Sequence, residues 1–238
     1  MLTFSLTAAV LSIGCGLGFA AADYFRKAVP AETSTALVLF YFIGLQLPLW
    51  AGWLWLSGET RLTNAYWVPG IIVAALGLSA NFTFIAAVRR SPLSLMIPML
   101  ALVPVLTTVA GAVGLGEIPS SLQVGGIVLI FVGLLALYAP AGESMSAVAA
   151  LRAMKSEPGV PMMLATIAGW SLTPVFDKLC VAESSVPMHA TIQVGAITAL
   201  VGLWIVMQGG VRALKPNPGS GRPLVGAAVA APPHLRLT

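Results

Sequence analysis

Only 8% of the 238 residues are charged while 58% are hydrophobic, and the mean hydropathy is +0.94. A soluble domain carries about a quarter charged residues and has an outside to hydrate, so this composition excludes water as the solvent for most of the chain. The net charge of +4 rests on 12 Lys and Arg scattered in pairs. Phosphate binding needs a basic stripe or patch instead, which excludes nucleic acid as a partner.

Met1 to Ala22 is apolar and ends in Ala20-Ala21-Ala22, like a signal-peptidase site, while Ser12-Ile13-Gly14-Cys15 faintly resembles a lipoprotein cleavage site. No Lys or Arg precedes the run, so the charged region of a leader is missing, and the segment reads as a retained first span. A spanning helix needs about 20 apolar residues, each adding 1.5 Å across a core of about 30 Å. Charge-free segments of this kind fall at Phe4–Ala22, Ser34–Gly58, Asn64–Val88, Ser91–Gly116, Pro119–Pro140, Pro158–Phe176 and Ser185–Gly210. Transmembrane strands alternate in segments of about ten residues, so the fold class expected is an all-α integral membrane protein with about seven transmembrane helices. The longest connection, 141–157, is the natural linker. Residues 211–238 are rich in Pro and Gly, and their apolar stretch, Leu224 to Ala231, is too short to span. That tail is expected to be disordered or aberrant. Cys15 and Cys180 lie in or beside apolar runs without metal spacing and read as small buried hydrophobes.

Internal repetition organises these segments. A shift of 151 positions lays the first two spans on the sixth and seventh: Gly18 meets Gly169, Phe25 meets Phe176, Lys27 meets Lys178, and Glu32 meets Glu183. Ser34 meets Ser185, Gly44 meets Gly195, and Trp53 meets Trp204. Several matches are charged, aromatic or Gly positions, which apolar composition alone does not align. Copies five spans apart enter the membrane in opposite senses, the inverted-topology construction of many secondary transporters. Loops after odd-numbered spans carry most of the cations, among them Arg26, Lys27, Arg89, Arg90, Arg152, Lys155, Arg212, Lys215 and Arg222. Positive-inside logic then places the amino terminus outside.

Ser91-Pro92-Leu93-Ser94, Pro104-Val105-Leu106-Thr107 and Gly116-Glu117 resemble the fourth span of an EamA domain, and Gln123 to Gly133 resembles its fifth. Gly169-Trp170-Ser171-Leu172-Thr173-Pro174 with Asp177-Lys178 resembles the opening of a second such repeat. These domains belong to the drug/metabolite transporter superfamily, and the resemblance covers about Met1 to Gly210. It implies two five-helix repeats and movement, often export, of a small organic solute. The expected organisation is a first repeat at 1–140, the linker at 141–157, an incomplete second repeat of two helices at 158–210, and the tail at 211–238. A full member would have ten spans, so a truncated product is expected. The family's commoner orientation has the amino terminus inside, against the charge count, and both stay open.

Polar groups at membrane depth are costly and often functional. Asn81, with Ser79 and Thr83 beside it, offers a substrate hydrogen bond from a cavity wall or an interhelical bond. Pro98 and Pro104 interrupt the fourth span, making a ligand site or hinge, or a kink whose neighbours satisfy the backbone. Asp23 with Arg26 and Lys27, and Asp177 with Lys178, end the first and sixth spans. They read as a gate or proton-coupled carboxylates, or as snorkelling pairs at the headgroups. Arg26 and Asp177 share the repeat register, which suggests charge exchange between the halves. Trp170 and Thr173 lie where the resemblance implies cavity-lining helices. Trp50, Trp53, Trp55 and Trp67 read as interfacial anchors, and His189 and Gln193 as weaker site candidates. Glu117 suits the positive start of the fifth helix.

Gly16 to Ala21 mimics a dinucleotide fingerprint without its strand or its acid, and Gly14 with Gly18 reads instead as a GxxxG packing face. There is no phosphate loop for an ATP-driven pump, no Lys in the last span for a retinal pigment, and almost no ionisable group in the spans for an enzyme. His189 and His234 share no metal-ligand spacing. The reading is a secondary transporter, expected as a multi-pass protein of a bacterial inner membrane, with no cofactor and no metal. Its partners are lipid, a small-molecule solute, a proton or exchanged solute, and a second copy in a homodimer. The alternative is a non-transporting fragment or a partner subunit of a membrane complex.

Overall fold

A backbone in lipid must satisfy its own N–H and C=O groups, and each apolar segment does so as helix. The computed structural model describes residues 6–116, 118–138, 156–216 and 219–230. In chain order its helices are α1 (Leu6–Ala28), α2 (Thr35–Gly44), α3 (Leu47–Ser57), α4 (Trp67–Arg90), α5 (Leu93–Met99) and α6 (Leu102–Leu115). There follow α7 (Ser121–Tyr138), α8 (Val160–Ala182), α9 (Val186–Gly209) and α10 (Gly221–Ala230), with short 3₁₀ turns at Asn64–Tyr66 and Val211–Leu214. The described residues contain no strand beyond one isolated bridge, Leu62 with Ser184. Thr35–Ser57, Asn64–Arg90, Leu93–Gly114 and Val186–Gly209 have the length and composition to cross a bilayer, and Ser121–Leu137 is apolar but shorter. The chain is an all-α membrane protein.

Two expected spans are broken by proline chemistry. Pro48 has no N–H to continue α2, so Leu45 still bonds to Tyr41 O but Gln46 N turns to Ile43 O, and α3 starts at Leu47. The Phe42 carbonyl that Gln46 N would have met accepts instead from Gln46 Nε2 at 2.8 Å. The fourth span divides at Leu100-Ala101 between Pro98 and Pro104. Pro104 cannot donate to Leu100 O, and Val103 N takes that carbonyl at 2.9 Å.

The chain folds as two units, Met1–Arg61 with Ser185–Thr238, and Leu62–Ser184. In the first, α9 packs on α2 and α3, and α10 packs on α1 and α2. Ser34 and Ser185, matched by the 151-residue shift, both cap their helices: Ser34 Oγ accepts from Leu37 N at 3.1 Å and Ser185 Oγ from Met188 N at 3.3 Å. The matched glycines face the same interface. A Cβ on Gly44 would stand 3.0 Å from Thr198 Cγ2, and one on Gly195 would stand 3.8 Å from Leu47 Cδ1.

In the second unit α8 packs along α4 and α6, with α5 against α7 and α8. Polar clips hold α4 and α8 at both ends. Thr63 Oγ1 donates to Glu183 Oε2 at 2.6 Å, beside Thr63 N to Glu183 O. At the other end Ser91 Oγ donates to Glu157 Oε2 at 2.9 Å and accepts from Gly159 N at 3.0 Å. Gly159 is obligatory there, since a Cβ would lie 2.7 Å from Ala87 O.

Several expectations change. The tail was expected to be unfolded, yet α10 buries Leu224, Ala227 and Ala228, and Tyr41 Oη donates to Leu214 O at 2.8 Å. Pro223 sits in the first turn, where its missing N–H costs no helical bond, and the run from Leu224 is small and apolar enough to pack. Trp50 is no interfacial anchor: it is buried and stacks on Trp53, ring centroids 5.5 Å apart. Among the described residues nothing lies within 4 Å of the Gly14 Cβ position, so none of the described helices packs closely on it. Cys180 is buried and free. Glu117, His234 and the linker as far as residue 155 lie outside the described residues.

Candidate functional site

The five residues expected to bind substrate, Asn81, Thr83, Pro98, Trp170 and Thr173, all belong to the second unit. Four of them lie on the α4–α8 pair. Gly169 lets these helices approach, because its Cβ position is only 2.8 Å from Ala80 Cβ. One turn along, Thr83 Oγ1 and Thr166 Oγ1 stand 2.8 Å apart, and either can donate. Thr83 also reaches Ser79 O and Ala80 O at 3.0 Å, and Thr166 reaches Met162 O at 2.9 Å. Thr83 therefore makes the interhelical bond that was the alternative to a substrate contact.

Asn81 is half-buried, and its Nδ2 donates to Gly77 O of its own helix at 2.7 Å. Thr173 does the same, Oγ1 to Gly169 O at 2.9 Å. The half-buried Trp170 ring packs on Phe84, centroids 5.1 Å apart and tilted by 37°. Asn81 is three residues before Phe84, one turn along α4, so Asn81, Phe84 and Trp170 form a polar–aromatic strip on this seam. Pro98 sits half-buried inside α5, off the strip, at the break described above.

Beside the strip, Leu106, Val109, Ala110 and Val113 of α6 with Ala168, Ser171 and Leu172 of α8 line an open apolar cavity of about 320 Å³. Its one hydroxyl is occupied: Ser171 Oγ donates to Ile167 O at 2.6 Å and lies 3.2 Å from Val103 O. Thr107 Oγ1 in turn donates to Ser171 O at 3.2 Å. None of the five expected residues lines this cavity.

The first unit holds Asp23, Arg26 and Lys27. Lys27 is exposed, as a snorkelling side chain is, but Arg26 is only 5% exposed. Arg26 Nη1 donates to Asp23 Oδ1 at 2.7 Å, and its guanidinium carbon lies 3.6 Å above the centre of the Phe42 ring. Two charges away from water need pairing, and a desolvated guanidinium gains about 2 kcal/mol from an aromatic face. Asp177 is half-buried and Lys178 exposed near the end of α8, in the second unit.

Sequence reasoning gave little weight to a further set in the first unit. Gln46, His189 and Gln193 are each under a tenth exposed. Pro48, two residues after Gln46, was the available signal that an unpaired carbonyl lay nearby. His189 and Gln193 are one turn apart on α9, the helix packed on α2 and α3. Among the described residues no group of three or more His, Cys, Asp or Glu is placed to hold a metal. Residues 4–139, more than half of the chain, match the EamA-like transporter family. No curated protein matches the chain.

Proposed function

Because the chain belongs to the EamA-like transporter family, a family of transporters and not of enzymes, we propose that it carries a small organic metabolite or drug across a bacterial inner membrane, outward, by secondary transport. The two inverted repeats rock about a midplane cavity, giving alternating access. The observation that carries this reading is the reciprocal packing of α2–α3 with α9. Gly44 approaches Thr198 while Gly195 approaches Leu47, and Thr198 and Gly195 are the 151-residue images of Leu47 and Gly44. A contact that repeats with its partners exchanged is the signature of a two-fold relation, and it joins one helix of each repeat.

Asn81, Thr83, Pro98, Trp170 and Thr173 supply the solute wall in this reading, with Trp170 offering a flat apolar face. Asp23, Arg26, Lys27, Asp177 and Lys178 supply the gate, and the coupled species is a proton or an exchanged solute. The buried Asp23–Arg26 pair supports the gate, since the desolvation of both charges favours the closed, self-paired arrangement until water or solute reaches it. The working form is a homodimer.

A resistance screen tests this. The full chain is expressed in a host stripped of its own exporters and challenged with a panel of toxic organic solutes. Raised tolerance to one or more solutes is expected, abolished by Trp170→Ala or Arg26→Ala. Tolerance at the vector level for every solute, with the protein present in the membrane, counts against transport. If Asp177→Asn leaves efflux unchanged at every pH, that residue's coupling role is dropped.

A further inference from the structure

We propose that α10 is the third helix of the second repeat, seated on α1 in the register that α4 holds on α8; this rests on the repeat reading above. Along the α4–α8 crossing Gly159 meets Ala87, Thr166 meets Thr83, and Gly169 meets Ala80. Going up α8 is going down α4, so the helices are antiparallel. Continued, the register of the last two pairs brings Phe176 opposite Val73, two residues from Ala75. The 151-residue shift carries α8 onto α1 and the first half of α4 onto α10. Phe176 becomes Phe25, Gly70 becomes Gly221, Val73 becomes Leu224, and Ala75 becomes Gly226.

The shift places Phe25 opposite Leu224, and the contact found lies two residues along the same helix. Gly226 lies so close to Phe25 that a Cβ there would be 2.8 Å from ring atoms Cγ and Cδ1. Val73 is 5% exposed and its image Leu224 is 1% exposed, whereas the exposed Ala75 has the half-buried Gly226 as its image. The pairing was read from spans one, two, six and seven, none of which includes α10, so the fit is independent of the matches that set the offset. The second repeat thus runs past Gly210 into Gly221–Ala230, and α1 carries a helix-binding face equivalent to that of α8.

Disulfide cross-linking in native membranes tests the seat, using the full chain with Cys15→Ala and Cys180→Ala. A Cβ at 226 stands close enough to residue 25 for a disulfide, whose Cβ atoms lie about 3.5–4.5 Å apart. Phe25→Cys with Gly226→Cys, and Ala22→Cys with Ala228→Cys, should each give an oxidant-dependent mobility shift reversed by reductant. Phe176→Cys with Ala75→Cys is the matching pair in the second unit. Ala22→Cys with Leu224→Cys should stay unlinked. Linkage of that control in place of Ala22 with Ala228 would mean a parallel seat and overturn the proposal.

Inverted repeats also require α4 and α10 to start on opposite sides of the membrane. Asn64→Cys and Arg222→Cys should therefore be labelled from opposite sides by an impermeant thiol reagent, and labelling from one side overturns the assignment whatever the cross-links show. Neither measurement reads transport. A chain that cross-links as described but confers no tolerance fails the transport reading alone.

Discussion

Arg26 concentrates the energetics of this chain in one side chain. It is buried, paired with Asp23 at 2.7 Å and stacked on Phe42. Removing one partner of a buried pair strands the other charge, at a cost of about 3–5 kcal/mol. Arg26→Met should lose that much stability, read by reversible unfolding in mixed micelles, whereas the exposed Lys27→Met should be near neutral. Asp23→Asn added to Arg26→Met should recover part of the loss, because the stranded carboxylate is then gone. If Arg26→Met and Lys27→Met unfold together with wild type, the pair is not a buried structural ion pair. The sequence placed these residues at a helix end, where long cations reach for water. What it lacked was the position of Phe42, sixteen residues on, which turns Arg26 inward.

At the scale of elements, helices were legible because lipid leaves the backbone no other choice, and the breaks were legible where proline removes a donor. Which faces meet was not legible. Nearly every residue of these helices is apolar, so amphipathic periodicity carries little information about facing. Small and hydroxyl residues decide it instead, as Gly169, Thr83 and Thr166 do on the α4–α8 seam. Interhelical hydrogen bonds of this kind in membranes average about 0.6 kcal/mol and reach about 1.7 kcal/mol. A double-mutant cycle of Thr83→Val and Thr166→Val should return a coupling in that range. A coupling indistinguishable from zero would mean that both hydroxyls are satisfied by their own helices, through Ser79 O, Ala80 O and Met162 O. The same cycle on solute efflux separates the two readings of Thr83. A purely packing role moves stability and efflux together, and a solute contact moves efflux alone.

At the scale of the whole chain, hydrophobicity placed it in the bilayer, and the residues resembling an EamA domain lie within or beyond the matched 4–139. The repeat offset reached further, since it pairs positions whose roles are visible only once folded, such as the caps Ser34 and Ser185. It fell short at α10, whose one charged residue, Arg222, falls on Ile71 and whose remaining run is small and apolar, with no aromatic landmark to align. The reciprocal contact offers the sharpest test of what the repeat does for packing. Gly44→Ala places its methyl 3.0 Å from Thr198 Cγ2, tighter than ordinary van der Waals contact, whereas Gly195→Ala places one at a comfortable 3.8 Å from Leu47. Overpacking of this kind costs about 1–3 kcal/mol. Gly44→Ala should therefore destabilise by about that amount, and Gly195→Ala should be neutral or slightly stabilising through its better helix propensity. Thr198→Ser deletes the methyl in the way, so Gly44→Ala with Thr198→Ser should return to near the stability of Thr198→Ser alone. If Thr198→Ser gives no rescue, the two helices do not meet through these residues, and the two-fold relation loses the contact on which it is argued.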